Sequence, residues 1–127
     1  MVESNGWAIC VIDDDIAVRE STVMLLETAG YTVKSFASAD ELFSYSGIAD
    51  IRCFVVDFHM PGLNGVELLE SLRARGIDTP TIVLTGNGER LSERMTRAGV
   101  LKILRKPASE DDILQWIETA LKSREKP

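Results

Sequence analysis

The chain has 127 residues, 45% hydrophobic and 27% charged, with 20 acidic against 14 basic side chains and a formal net charge of -6. That length suits one domain with its own core, and the acidic balance argues against a nucleic-acid surface, which carries a basic excess. No apolar run approaches the roughly 20 residues of a membrane span, and the opening Met-Val-Glu-Ser-Asn-Gly lacks the basic region and apolar core of a secretion signal.

In chain order, residues 7–12 carry the apolar run Ala8-Ile9-Cys10-Val11-Ile12 and predict the first strand, β1, which ends in Asp13-Asp14-Asp15. Helix α1 is predicted over 16–29, with acids at its start to suit the helix dipole and Gly30 beyond its end. Residues 31–36 alternate apolar and polar and read as β2, a strand with one wetter face. Ser38 caps a short helix, α2, with Glu41 completing a capping box. It carries Leu42, Phe43 and Tyr45 and stops near Gly47. The next strand, β3 over 52–57, is apolar throughout until Asp57, and Pro61 and Gly62 force a loop after it. Helix α3 follows over 64–75, closed by Gly76. Pro80 opens β4 at 81–85, since proline fits at a strand start, and Gly86-Asn87-Gly88 reads as a flexible loop. The stripe Leu91, Met95, Ala98 marks a thin helix α4, ended by Gly99. Residues 100–104 give β5. Ser109 and Asp112 cap α5, whose apolar face is Ile113, Trp116, Ile117, Ala120 and Leu121, and a polar tail from 122 to 127 is expected to fray.

Strands alternating with helices imply right-handed crossovers and a parallel sheet. Ligands of such sheets bind at the carboxyl ends of the strands. Four strand ends deliver acid, acid, hydroxyl and ammonium there: Asp13 and Asp14, Asp57, Thr85, and Lys106. Three crowded carboxylates raise one another's pKa at a cost in stability. A hard divalent cation removes that cost, and oxygen-only ligands without a dedicated cage favour Mg²⁺ (or Mn²⁺). Cys10 and Cys53 lack CxxC spacing and His59 is the only histidine, so a Cys/His zinc site is unsupported. Both cysteines read as small core hydrophobes. A disulfide between neighbouring β1 and β3 would be within reach, though a reducing cytosol opposes it.

The pieces Ile12-Asp13-Asp14, Val56-Asp57, Met60-Pro61-Gly62, Gly65, Leu84-Thr85-Gly86 and Lys106-Pro107, in this order and spacing, resemble the receiver domain of two-component response regulators. The resemblance covers residues 7–122, the core of a single domain expected over 1–127. It implies a flavodoxin-like α/β fold, (βα)5, doubly wound around a five-stranded parallel sheet of order 2-1-3-4-5. It implies Asp57 as phosphoacceptor, with Asp14, Asp57 and the backbone carbonyl of His59 on the metal and Asp13 acting mainly through water. Lys106 would be aimed into the cleft by a cis bond to Pro107, and Thr85 would donate its hydroxyl to the phosphoryl group. His59 and Asn87 would tune access of water at the rim, and Gly86 would leave the approach to Asp57 open.

Two positions depart from the family. Ile103 stands where an inward-swinging aromatic is usual, and Ala108 where Phe often follows the Lys-Pro pair. The expected function is a phosphorylation-activated switch and not a metabolic enzyme. A sensor histidine kinase or phosphotransfer protein would supply the phosphoryl group. The α4–β5–α5 surface would respond, controlling an output domain or partner protein, with a homodimer through that surface. A cytoplasmic location, with neither membrane nor direct nucleic-acid contact, is expected. Nothing past Ser123 resembles a DNA-binding domain. Two alternatives differ in class. A Mg²⁺-dependent phosphohydrolase with an Asp nucleophile would want a second Asp where His59 stands. A non-phosphorylated pseudo-receiver would not need the intact acid, Thr and Lys set.

Overall fold

The computed structural model describes residues 7–60, 62–86 and 93–125. Its strands are β1 (Ala8–Ile12), β2 (Val33–Phe36), β3 (Ile51–Asp57), β4 (Thr81–Thr85) and β5 (Lys102–Arg105). Its helices are α1 (Ile16–Thr28), α2 (Ala39–Phe43), α3 (Gly65–Ala74), α4 (Glu93–Arg97) and α5 (Glu110–Glu125), and one 3-10 turn covers Ile48–Asp50. All strands pair in parallel, in the order β2-β1-β3-β4-β5. The α/β doubly wound, flavodoxin-like arrangement read from the sequence is the one observed.

The core forms on both sides of the sheet because successive strand residues face opposite ways. On one face Cys10, Ile12, Phe54 and Val56 pack with Leu42 of α2 and with Leu68 and Leu72 of α3. On the other, Ile9, Val11, Cys53, Val55 and Ile82 pack with Leu26 of α1 and with Ile113 and Ile117 of α5. A smaller cluster, Val66, Val83 and Met95, seats α4, and Ile103 packs against it. Each of these aliphatic side chains contributes about 1.5–3 kcal/mol when fully buried.

The two layers settle the cysteines. Cys10 belongs to one and Cys53 to the other, so their side chains project from opposite faces of the sheet and cannot meet. Both are free and buried. Burial pushes the Cys53 thiol up to about 12. Burial, and then Cys53, pushes Cys10 further the same way. Neither supplies a thiolate at neutral pH.

Boundaries differ from the sequence reading where caps compete with strands. β2 begins at Val33, two residues late, and β5 begins at Lys102. Val100 is taken by α4: its N–H donates to Met95 O, while Gly99 turns at φ 80°. α2 ends at Phe43, so Tyr45 lies outside it and packs on Phe36 with ring centroids 5.3 Å apart. α5 runs on to Glu125 where fraying was expected from 122. The Leu91 part of the α4 stripe lies outside the described residues.

Candidate functional site

Strand register decides which side chains meet. Ile12 pairs with Val56, Asp57 with Leu84, and Thr85 with Arg105. The residues just past those pairs, Asp13 beside Asp57 and Lys106 beside Thr85, therefore share one edge. Backbone bonds extend the pairing beyond the strands: Phe58 N–H donates to Leu84 O at 2.8 Å, and Lys106 N–H donates to Thr85 O at 2.7 Å.

Carboxylate oxygens of Asp13, Asp14 and Asp57 lie within 4.8 Å of one another. Asp13 and Asp57 are buried, whereas Asp14 is exposed. Lys106 Nζ reaches Asp57 Oδ1 at 2.6 Å and Asp13 Oδ2 at 4.0 Å. Lys106 is thus the close charged partner of Asp57 Oδ1, a buried oxygen that no other hydrogen bond satisfies among the described residues. Burial pushes the Asp13 carboxyl above its ordinary range. The Asp15 N–H and Lys106 pull it back, Asp57 and Asp14 push it up, and the net shift is upward. Burial pulls Lys106 down, but Asp57 first, then Asp13 and Asp14, outweigh it and raise its pKa.

The loop after Asp57 is built for close approach. Gly65 N–H donates to Phe58 O at 2.8 Å, and a Cβ on Gly65 would sit 2.9 Å from Phe58 Cα. Asn64 and Glu67 form a reciprocal capping box that starts α3 at this point. The Lys106-Pro107 peptide bond is cis.

The sequence pattern that defines the response regulator receiver domain matches residues 9–118. The chain belongs to that family. It is 36% identical over 118 residues to the transcriptional regulatory protein FixJ of Bradyrhizobium diazoefficiens, covering 92% of this chain and 58% of FixJ. It is 39% identical over 112 residues to FixJ of Azorhizobium caulinodans, covering 87% of this chain and 53% of that protein. The receiver domain therefore spans just over half the length of these relatives. Among solved structures it is similar to FixJ-N, with a TM-score of 0.82 and 31% identity over 96% of both chains.

The receiver edge brings together Asp13, Asp14, Asp57 and Lys106, with Thr85 buried beside them. The donor set fits a hard divalent cation: it is all oxygen, and its buried oxygen Asp57 Oδ1 is met only by the Lys106 ammonium among the described residues. His59 is exposed, with its ring edge-on to Phe58 at 5.1 Å. Gly86 lines a cavity of about 460 Å³ with Lys106 and Ala108. Ile103 does not point at the acids but packs against the Val66, Val83, Met95 cluster. Asn87 lies outside the described residues.

Sequence reasoning missed two arginines. Arg19 of α1 donates from a terminal guanidinium nitrogen (Nη1) to the backbone oxygen of Asp13 at 2.6 Å. Arg73 of α3 donates to Ala98 O, Ile77 O, Thr79 O and Gly99 O at 2.7 to 3.2 Å. Both bind main-chain carbonyls, which carry no residue identity for a motif to reveal.

Proposed function

We propose that this receiver domain is a phosphorylation-driven signalling switch with Asp57 as its acceptor. The observation that carries this reading is Lys106 Nζ 2.6 Å from Asp57 Oδ1, beside the cluster of three carboxylates. An ammonium held there is placed to take up the charge of an arriving phosphoryl group. The donor is a phosphohistidine, on a sensor histidine kinase or a phosphotransfer protein. A carboxylate oxygen of Asp57 forms a bond to phosphorus while the phosphorus–nitrogen bond to histidine breaks. The released imidazole nitrogen keeps the bond's electron pair and takes up a proton from solvent. Lys106 moves from the carboxylate to the phosphoryl oxygens, and the Thr85 hydroxyl donates to the same group.

Asp13, Asp14, Asp57 and the carbonyl of His59 would hold Mg²⁺ (or Mn²⁺), which supplies charge neutralisation for the transfer. His59 and Gly86 stand at the rim and set the access of water to the acyl phosphate. Thr85 then biases the α4–β5–α5 surface toward a second arrangement, which an output domain or partner reads. The FixJ relatives are transcriptional regulatory proteins of which this chain spans about half, which supports an output in transcription. The test is intact-mass analysis after incubation with acetyl phosphate and Mg²⁺. One added phosphoryl group is expected, lost with EDTA and in Asp57→Asn. Equal labelling of Asp57→Asn would overturn the assignment.

A further inference from the structure

We propose that Arg19 is a positioning residue for the divalent cation, acting through the Asp13–Asp15 turn. This inference rests on the metal reading above and goes beyond it. Asp13 lies one residue past β1, where the sheet no longer supplies partners for both backbone groups. Its N–H donates to Phe36 O at 3.1 Å. Its carbonyl accepts at 2.6 Å from Arg19, which stands in the first turn of α1. A carbonyl on a residue only 2% exposed would otherwise be left with a poor replacement for water.

The other contacts of the turn leave one side chain over. Asp13 Oδ1 accepts from Asp15 N–H at 2.9 Å. Asp15 Oδ1 caps α1, accepting from Ala17 N–H at 3.0 Å and Val18 N–H at 3.1 Å. The Asp14 carboxylate has no hydrogen bond among the described residues, is exposed, and reaches the oxygens of Asp13 and Asp57. Three successive aspartates repel one another, so an unpinned turn would splay outward. Arg19 holds the inner end of the turn and the Asp15 cap holds the outer end. Asp14 is thereby presented to the cluster with no competing bond. The effect is one of geometry, because the charges that act on the Asp13 carboxyl are Asp57, Lys106 and Asp14.

The test is an NMR titration of the full chain with MgCl₂ for the parent, Arg19→Met and Arg19→Lys, beside melting curves recorded in EDTA. Arg19→Met keeps the stem and removes the donor. It is expected to weaken Mg²⁺ binding roughly 10-fold, as loss of an outer partner of a metal ligand does. Only one guanidinium nitrogen is used at Asp13, so Arg19→Lys can replace it and should recover most of that affinity, even if its melting temperature stays as low as that of Arg19→Met. Parent-like affinity in Arg19→Met, or equal loss in both variants, overturns the inference. Should Arg19→Met fail to fold, Arg19→Ala takes its place as the donor-removing variant: a loss of roughly 10-fold supports the role and parent-like affinity refutes it. A parent chain that binds no Mg²⁺ overturns the metal reading itself, and the inference with it.

Discussion

Asp14 and Asp15 are adjacent and chemically identical, yet the structure gives them different work. Asp15 caps α1 through two backbone N–H groups, while Asp14 faces the other carboxylates. Asp14→Ala should therefore abolish most Mg²⁺ binding. Asp15→Ala should cost about 1 kcal/mol of stability through its cap and keep most of the affinity. Equal loss of affinity in both would refute the division. Asp13 carries a cost. Its carboxyl titrates above the usual range because it is buried beside Asp57. For an acid shifted this way, folding is favoured at low pH, and stability falls as pH rises through the raised pKa. At neutral pH, Asp13→Asn should stabilise the fold by roughly 0.5–2 kcal/mol, and the gain should vanish in acid. A gain that persists below the carboxylate range would contradict this origin. Gly65 offers a third case. With Phe58 Cα 2.9 Å from a Cβ, Gly65→Ala should destabilise by about 1–3 kcal/mol in urea titration, through displacement of the loop that follows Asp57.

Of the helices, α4 is held least by apolar burial, with Met95 as its one buried side chain among the described residues. Polar contacts hold it instead. Arg94 pairs with Glu70 of α3 through two bonds of 2.7 and 3.0 Å, both side chains exposed. Arg73 grips the carbonyls that end the helix. Arg73→Ala should cost about 2–3 kcal/mol, since a half-buried guanidinium leaves several carbonyls unmatched, and should raise amide exchange in residues 93–99. A stability change below 0.5 kcal/mol, roughly that of an ordinary surface site, would deny it that role. Ile103 is β-branched, stiff at χ1 and without a hydroxyl to move between solvent and cleft. It packs on the cluster under α4 as fixed filling. Phosphorylation should shift the amide signals of Thr85 and of residues 93–98, and Ile103→Ala should keep most of that shift. Loss of the α4 response with Asp57 still phosphorylated would make Ile103 the coupler. These element-scale features were the least legible in the sequence. The strands themselves followed from apolar runs and their order from the family resemblance, but the start of β5 was set by how α4 is capped, and Arg73 bonds to main-chain oxygens.

For the molecule as a whole, the site was legible because each strand end is marked by residues that break a strand. Asp13, Asp57, Thr85 and Lys106 each follow an apolar run, and parallel register then forces them to one edge. What holds the turn at Asp13 was not legible, because Arg19 looks like any charged helix residue until the carbonyl it reaches is seen. No described helix is long and apolar enough to cross a membrane. Asp57 is the proposed acceptor among three carboxylates whose oxygens lie within 4.8 Å. The most direct measurement is to phosphorylate the chain with acetyl phosphate and Mg²⁺, reduce the acyl phosphate with borohydride, and map the product by peptide mass spectrometry. Reduction converts the phosphorylated aspartate to homoserine, and the account predicts homoserine at position 57 and nowhere else. Homoserine at 13 or 14, or a phosphorylated chain with Asp57 intact, would contradict it.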